Sequence, residues 1–156
     1  MADGGELETA TPAHGPFVVE EGEWAGWRYW VGGDPYEDLS GPFYWREEED
    51  GAMRCAFRAE KKHMNGGGFM HGGCMLTFAD YSLFVIGRKA LAEGHSVTVS
   101  LNGDFVGPAH VGDLIEATGE VVKAGASMVF IRGMISTGGN PMLAFSGVVK
   151  KVKRRL

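Results

Sequence analysis

Between His63 and Asp80 the chain gathers two histidines, an asparagine, a run of glycines and a single carboxylate. The loop holds His63, Asn65, Gly68, His71, Gly72 and Gly73. An apolar segment follows, in which Asp80 is the one charged residue from Cys74 to Ile86. These residue types suit chemistry at a carbonyl group. No Ser, Thr, Asp or Asn stands immediately before the apolar segment, where a side-chain cap would normally satisfy the first N–H groups of a helix. His71-Gly72-Gly73 stands there instead, and glycines let another molecule's carbonyl come close. A helix start left open in this way polarises a carbonyl oxygen or holds developing negative charge. A carboxylate in an apolar helix is costly unless it is paired or used. Asp80 is therefore either a salt-bridged structural residue or a working base or nucleophile.

Spacing limits how the two groups cooperate. Gly73 and Asp80 are seven residues apart, about 10 Å along a helix at 1.5 Å per residue. One helix hardly presents both to one reacting carbon. If both act on it, the carboxylate comes from a second copy of the chain, and the site lies at a dimer interface.

The elements that must position these residues follow from pattern. Cys74 to Ile86 forms a helix buried on most sides, with Arg88 and Lys89 in its last turns and Gly94 as its stop. Phe43 to Arg46 and Met53 to Ala59 are strands joined by the charged turn Glu47 to Gly51. Four further strands run Ser96 to Val106, Leu114 to Lys123, Met128 to Ser136 and Met142 to Val152. Val97, Val99 and Leu101 alternate there with Thr98, Ser100 and Asn102. The turns at Gly107-Pro108, Gly125 and Gly138 to Pro141 favour an antiparallel meander. The fold class is α+β: one long helix wrapped by a curved antiparallel sheet of five to six strands.

The pattern His63, Asn65, Gly68, His71-Gly72-Gly73 with Asp80 seven residues on resembles the hotdog-fold acyl-CoA thioesterases of the phenylacetate-pathway (PaaI-like) type. The resemblance covers residues 41–156; residues 1–40 are an acidic, Trp-rich extension outside it. It implies hydrolysis of an acyl-CoA to free acid and CoA. The acyl group is left open, with Phe57, Phe69, Met70, Phe78, Phe84 and the Trp-rich arm as candidates to line an aromatic or medium-chain pocket. By the same resemblance, Gly73 N–H is the main donor to the thioester carbonyl, and Gly72 lies beside it. Asn65 lines the site, His71 fixes the loop, and Asp80 of the partner subunit attacks or activates water. Thr98 matches the place where relatives carry a hydroxyl near the carboxylate, and a half-exposed strand threonine is the plain alternative. The turn with Lys123, Gly125 and Ser127 is implied to contact CoA. The C-terminal bases Lys150, Lys151, Lys153, Arg154 and Arg155 either meet its phosphates or form a solvated basic tail, the more common reading of such a run. No cofactor or metal is required. A homodimer or a dimer-of-dimers tetramer is implied.

Two rivals share the fold. A dehydratase or hydratase would need His63 or His71 with Asp80, but the loop lacks the proline-rich pattern such enzymes carry after their histidine. A non-catalytic acyl-CoA-binding module would gain nothing from a carboxylate at position 80.

Composition sets the outer limits. A chain of 156 residues is long enough for one domain with a proper core. Its 25 glycines exceed twice the usual share of about 7% and are scattered at turns. The two cysteines have no zinc spacing and suit a reducing compartment. Without a signal peptide or a long apolar run, a cytoplasmic protein off the membrane is expected. Residues 1–50 hold 13 acidic groups against two arginines, and the remainder holds 13 bases against seven acids. A positive core suits an anionic ligand such as CoA, while the overall acidity and the lack of a motif disfavour nucleic acid. Residues 1–16 are expected to be disordered. Trp24, Trp27, Tyr29 and Trp30 predict that the following arm packs on the core or on a neighbour, or walls the acyl pocket.

Overall fold

The computed structural model describes residues 15–92 and 94–152. The expected disorder at the N-terminus falls mostly outside these residues, as do Lys153, Arg154 and Arg155.

Eight strands form one sheet: β1 (Phe17–Val18), β2 (Arg28–Tyr29), β3 (Tyr44–Glu47), β4 (Met53–Arg58), β5 (His95–Phe105), β6 (Leu114–Ala124), β7 (Met128–Thr137) and β8 (Asn140–Val152). Their spatial order is β1-β2-β3-β4-β6-β7-β8-β5, antiparallel at every ladder. Two more strands appear than the sequence suggested. They are the two-residue β1 and β2, through which the aromatic arm extends the sheet. The meander holds for β6, β7 and β8. β5 departs from it, crossing to the far edge to pair with β8. Gly138 and Gly139 both have positive φ, 54° and 80°, and close the tight β7–β8 hairpin between Thr137 and Asn140.

The sheet wraps α2 (Gly72–Ile86). Met75, Phe78, Ala79, Tyr81, Ser82, Leu83, Val85 and Ile86 are all buried, so the apolar surface is spread around the helix, as an enclosed helix requires. The helix ends earlier than expected. Gly87 is its C-cap, and Arg88 and Lys89 belong to the separate short α3 (Arg88–Leu91). A Cβ at Gly87 would stand 2.7 Å from Ile131 Cδ1 and 2.9 Å from Leu83 O, so only glycine lets the chain pass so close to β7.

A third helix comes from the arm. α1 (Pro35–Ser40) begins at Asp34, whose carboxylate accepts the N–H groups of Tyr36 and Glu37. Asp34 at the cap, Pro35 at the first helical position and Glu37 and Asp38 in the first turn make a strong helix start. The arm packs on the chain's own core. Trp30 stacks on Trp45 at 5.2 Å and meets Tyr81 edge-on, and Trp24 stacks on Tyr44 at 4.3 Å. Arg88 lies over both Trp30 and Trp45. No described helix is long and apolar enough to cross a membrane.

Candidate functional site

The glycine loop is built around Asn65. Its side-chain Oδ1 accepts the N–H groups of Gly67 (2.8 Å) and Phe69 (3.2 Å), and its own N–H donates to Phe69 O. Gly68 follows at φ 81°, the left-handed conformation that favours glycine. Asn65 thus shapes the loop through its oxygen. It does not line the cavity at the helix start.

His63 is buried with both ring nitrogens engaged. Nδ1 accepts the Glu60 N–H at 2.9 Å and Nε2 donates to Ser40 O at 2.7 Å. Burial holds its pKa below the ordinary histidine value. A neutral ring used on both sides has no proton-transfer atom to spare, which removes His63 from the dehydratase reading.

At the start of α2 the structure corrects one expectation. The first N–H groups are not all open. His71 is the N-cap, and its Nδ1 accepts the Gly73 N–H at 2.9 Å. Cys74 N–H bonds His71 O. Gly72 N–H is left without a partner among the described residues. Sequence reasoning passed over histidine because it is not a customary cap. The ring also explains the glycine. A Cβ on Gly73 would fall 3.0 Å from His71 Nδ1, and one on Gly72 would fall 3.1 Å from the Phe105 ring. A cavity of about 470 Å³ opens here, lined by Tyr36, Leu39, His63, His71, Gly73 and Thr77 among others.

Asp80 faces a different cavity, of about 450 Å³. The half-buried carboxylate accepts a short hydrogen bond, 2.6 Å, from Thr98 Oγ1 to Oδ1. Oδ2 has no partner among the described residues. Asp80 makes no salt bridge among the described residues either, so the ion-paired reading of Asp80 is not what the structure contains. A carboxylate with one oxygen fixed and one free is set to accept a proton from water or to attack a carbonyl.

Around it stand Trp30, Asp34, Glu37, Tyr81 and Phe84. Trp30 belongs to the aromatic arm that was expected to pack or to wall the acyl pocket, while Asp34, Glu37 and Tyr81 were not singled out from sequence. Asp34-Pro35 was the available signal, because a helix start in the arm must dock somewhere. Glu37 is notable. Burial, then the charges of Asp34, Asp80 and Asp38, push its pKa up to about 7.

The two cavities do not share Gly73 and Asp80. Between them Tyr36 O–H reaches Thr77 Oγ1 at 3.3 Å, and Thr77 donates in turn to Gly73 O at 2.8 Å. Within one chain, then, the helix start and the carboxylate open on separate cavities.

Lys123, Gly125 and Ser127 sit at the β6–β7 turn, where Gly125 N–H bonds Met128 O and Ser127 O accepts from Lys151 N–H. Lys150 and Lys151 pair with Val97 and Ser96, the β5 residues next to Thr98. The turn therefore lies at the same end of the sheet as the Asp80 cavity, and it does not line it. Burial pushes the Cys55 thiol up to about 12 and the Cys74 thiol up to about 11, which favours the unreactive thiol form at neutral pH. Among the described residues no group of three His, Cys, Asp or Glu side chains is placed to hold a metal ion.

Known proteins resemble this chain in sequence and in fold. The family profile of the Thioesterase superfamily matches residues 67–144, which span the loop, α2 and most of the sheet. A Pseudomonas aeruginosa protein described as an esterase is 36% identical over 115 residues, 73% of this chain and 86% of that protein. Human acyl-coenzyme A thioesterase 13 is 30% identical over 82 residues, 51% of this chain and 57% of that one. A mutant of the phenylacetic acid degradation protein PaaI from Thermus thermophilus superposes with a TM-score of 0.66 at 22% identity, covering 76% of this chain and 100% of the other. A helix wrapped by a curved antiparallel sheet, with glycines at the helix start and a carboxylate two turns on, places this chain in the thioesterase superfamily, with the hotdog fold that PaaI shares.

Proposed function

We propose that the protein is an acyl-CoA thioesterase that hydrolyses aromatic or medium-chain acyl-CoA. The observation that carries this reading is the Asp80 carboxylate, fixed by Thr98 through one oxygen and open to a cavity through the other. Residues 41–156 form the catalytic domain and residues 1–40 its extension. Asp80 takes a proton from water, or attacks the thioester directly. The carbonyl oxygen rests on the start of α2, where Gly72 N–H is free and Gly73 N–H is gained if His71 yields it. With water as the nucleophile, the thiolate leaves with the proton held by Asp80; with Asp80 as the nucleophile, the thiolate leaves first, water then cleaves the acyl-Asp80 anhydride, and the proton of that water goes to the thiolate.

The separation of the two cavities supports a site shared between copies, with Gly72 and Gly73 from one chain and Asp80 from its partner. The outer edge of β5 supplies a surface for pairing. β8 is its one strand partner among the described residues, and Val97 and Val99 on it are 44% and 50% exposed. Lys123, Gly125 and Ser127, with Lys150 and Lys151, are proposed to meet the CoA phosphates.

Free-thiol release from a panel of aromatic and aliphatic acyl-CoAs tests the reading, with wild type and Asp80→Asn side by side. Turnover by wild type and a loss of about 10²-fold or more in the mutant is expected of a removed base. Binding of CoA esters without thiol release would sink the enzyme and leave an acyl-CoA-binding module.

A further inference from the structure

A second, larger cavity lies against the Asp80 cavity. It measures about 850 Å³, within the range of about 300–1,000 Å³ usual for small-molecule sites. Phe17, Tyr29 and Val31 of the arm face Phe43 and Tyr44 of the core across it. Trp30, Glu37 and Tyr81 line both cavities, so the two meet along these three side chains. Glu37 is half-buried, and its carboxylate has no hydrogen-bond partner among the described residues. Its neighbours are committed elsewhere. Asp34 caps α1, and Asp38 Oδ2 accepts the Gly32 N–H at 2.8 Å.

Building on the thioesterase reading, we propose that the acyl chain runs from the Asp80 cavity past Glu37 into the aromatic cavity of the arm, and that Glu37 determines which acyl groups pass. Medium-to-long apolar chains are the class this passage fits. Its walls are aromatic, and Glu37 is the one carboxylate common to both cavities.

The passage then depends on pH. Below about 7 Glu37 is a neutral acid that an alkyl chain can lie against. Above it, a charge stands in the passage, and covering a charge with hydrocarbon is unfavourable. The groups facing Glu37 do not cancel this charge. Asp34 and Asp38 on α1 and Asp80 on α2 add to it. Tyr81 and Tyr44 are held above the ordinary tyrosine value by burial first, and stay neutral. Tyr29 and Glu20 stand on the wall of the larger cavity and bring no cation to it. Lys62 is the one cation on the wall, and its Nζ is bound to Leu39 O and Gly41 O.

The test compares kcat/KM for decanoyl-CoA and acetyl-CoA at pH 6 and pH 8.5, with the full chain. The two-carbon acetyl group does not extend into the larger cavity, so the ratio of the two cancels any pH effect on the chemical step or on CoA binding. In wild type the decanoyl-to-acetyl ratio is expected to fall about tenfold between the two pH values, as an ionised group in the passage would cause. Glu37→Gln is expected to hold the ratio constant, which a merely structural role would not do. Val31→Trp fills the larger cavity from its exposed rim and is expected to lower the ratio at both pH values. A constant ratio in wild type, an equal fall in Glu37→Gln, or a ratio untouched by Val31→Trp overturns the inference while leaving the thioesterase standing. Absence of thiol release from both esters overturns the thioesterase itself.

Discussion

The two ends of the candidate site are made in different ways. At the start of α2 the polar partners are local: His71 caps Gly73, and Asn65 closes the loop onto Gly67 and Phe69. At Asp80 the partners are distant. Thr98 comes from β5, 18 residues on, and Asp34 and Glu37 come from the far side of β3 and β4. The first end is a property of a short peptide stretch, while the second exists only once the arm, the helix and the edge strand have come together. A motif therefore announces the first and gives only the carboxylate of the second.

The contrast can be broken at either end. Asp80→Asn carries the largest expected effect, about 10²-fold or more on thiol release. Thermal unfolding should hardly move, because the amide keeps the side chain's shape. Mixing that variant with a chain whose helix start is blocked by Gly72→Pro asks whether the two ends belong to different copies. Random pairing across a two-fold interface should restore about a quarter of the wild-type rate, from two chains that are each inactive alone. No recovery would put both ends in one chain. Thr98→Val removes the one hydrogen bond to Asp80 and should lower kcat about tenfold, while Thr98→Ser should retain it.

His71→Ala acts at the local end, where the cap is worth about 1 kcal/mol. A fall in Tm of about 2–4 °C is expected. A further effect is thermodynamic and lies in the arm. Because Glu37 has a folded-state pKa above its unfolded value, the folded chain holds the extra proton. Its contribution to stability is present at pH 4 and is lost as pH rises from about 4.5 to about 7. Glu37→Gln should therefore melt higher than wild type at pH 8 and match it at pH 4. A variant that melts lower at pH 8 would mean that Glu37 is paired in solution.

Much of the fold was legible because its signals are local. Alternation located β5, glycine pairs located the turns, and the apolar run with one carboxylate located α2. What the pattern could not give was order in space. β5 has the same alternation as its neighbours in sequence, and nothing in it says that it skips β6 to pair with β8. The two-residue β1 and β2 are too short for any periodicity, and only the density of aromatics showed that the arm packs. The helix end was misjudged because Arg88 and Lys89 suit a last turn. Ile131 lies too close to permit a side chain at Gly87, and that neighbour is invisible in the local sequence. In the candidate site, Asp80 and Thr98 come from separate stretches and are joined by a 2.6 Å bond. The partly committed Gly73 N–H was missed because the cap is an imidazole.

Lys62 and His63 hold the arm by its backbone, at Leu39 O, Ser40 O and Gly41 O. The same two residues open the glycine loop. Loop and arm are thus spliced together, and they are not a module that can be traded alone. A chimaera that takes this arm onto a relative must carry positions 62 and 63 with it, or α1 arrives unmoored. Conversely, trimming the arm leaves a buried imidazole donating to nothing at the root of the loop, so a shortened chain is a test of the loop as much as of the arm.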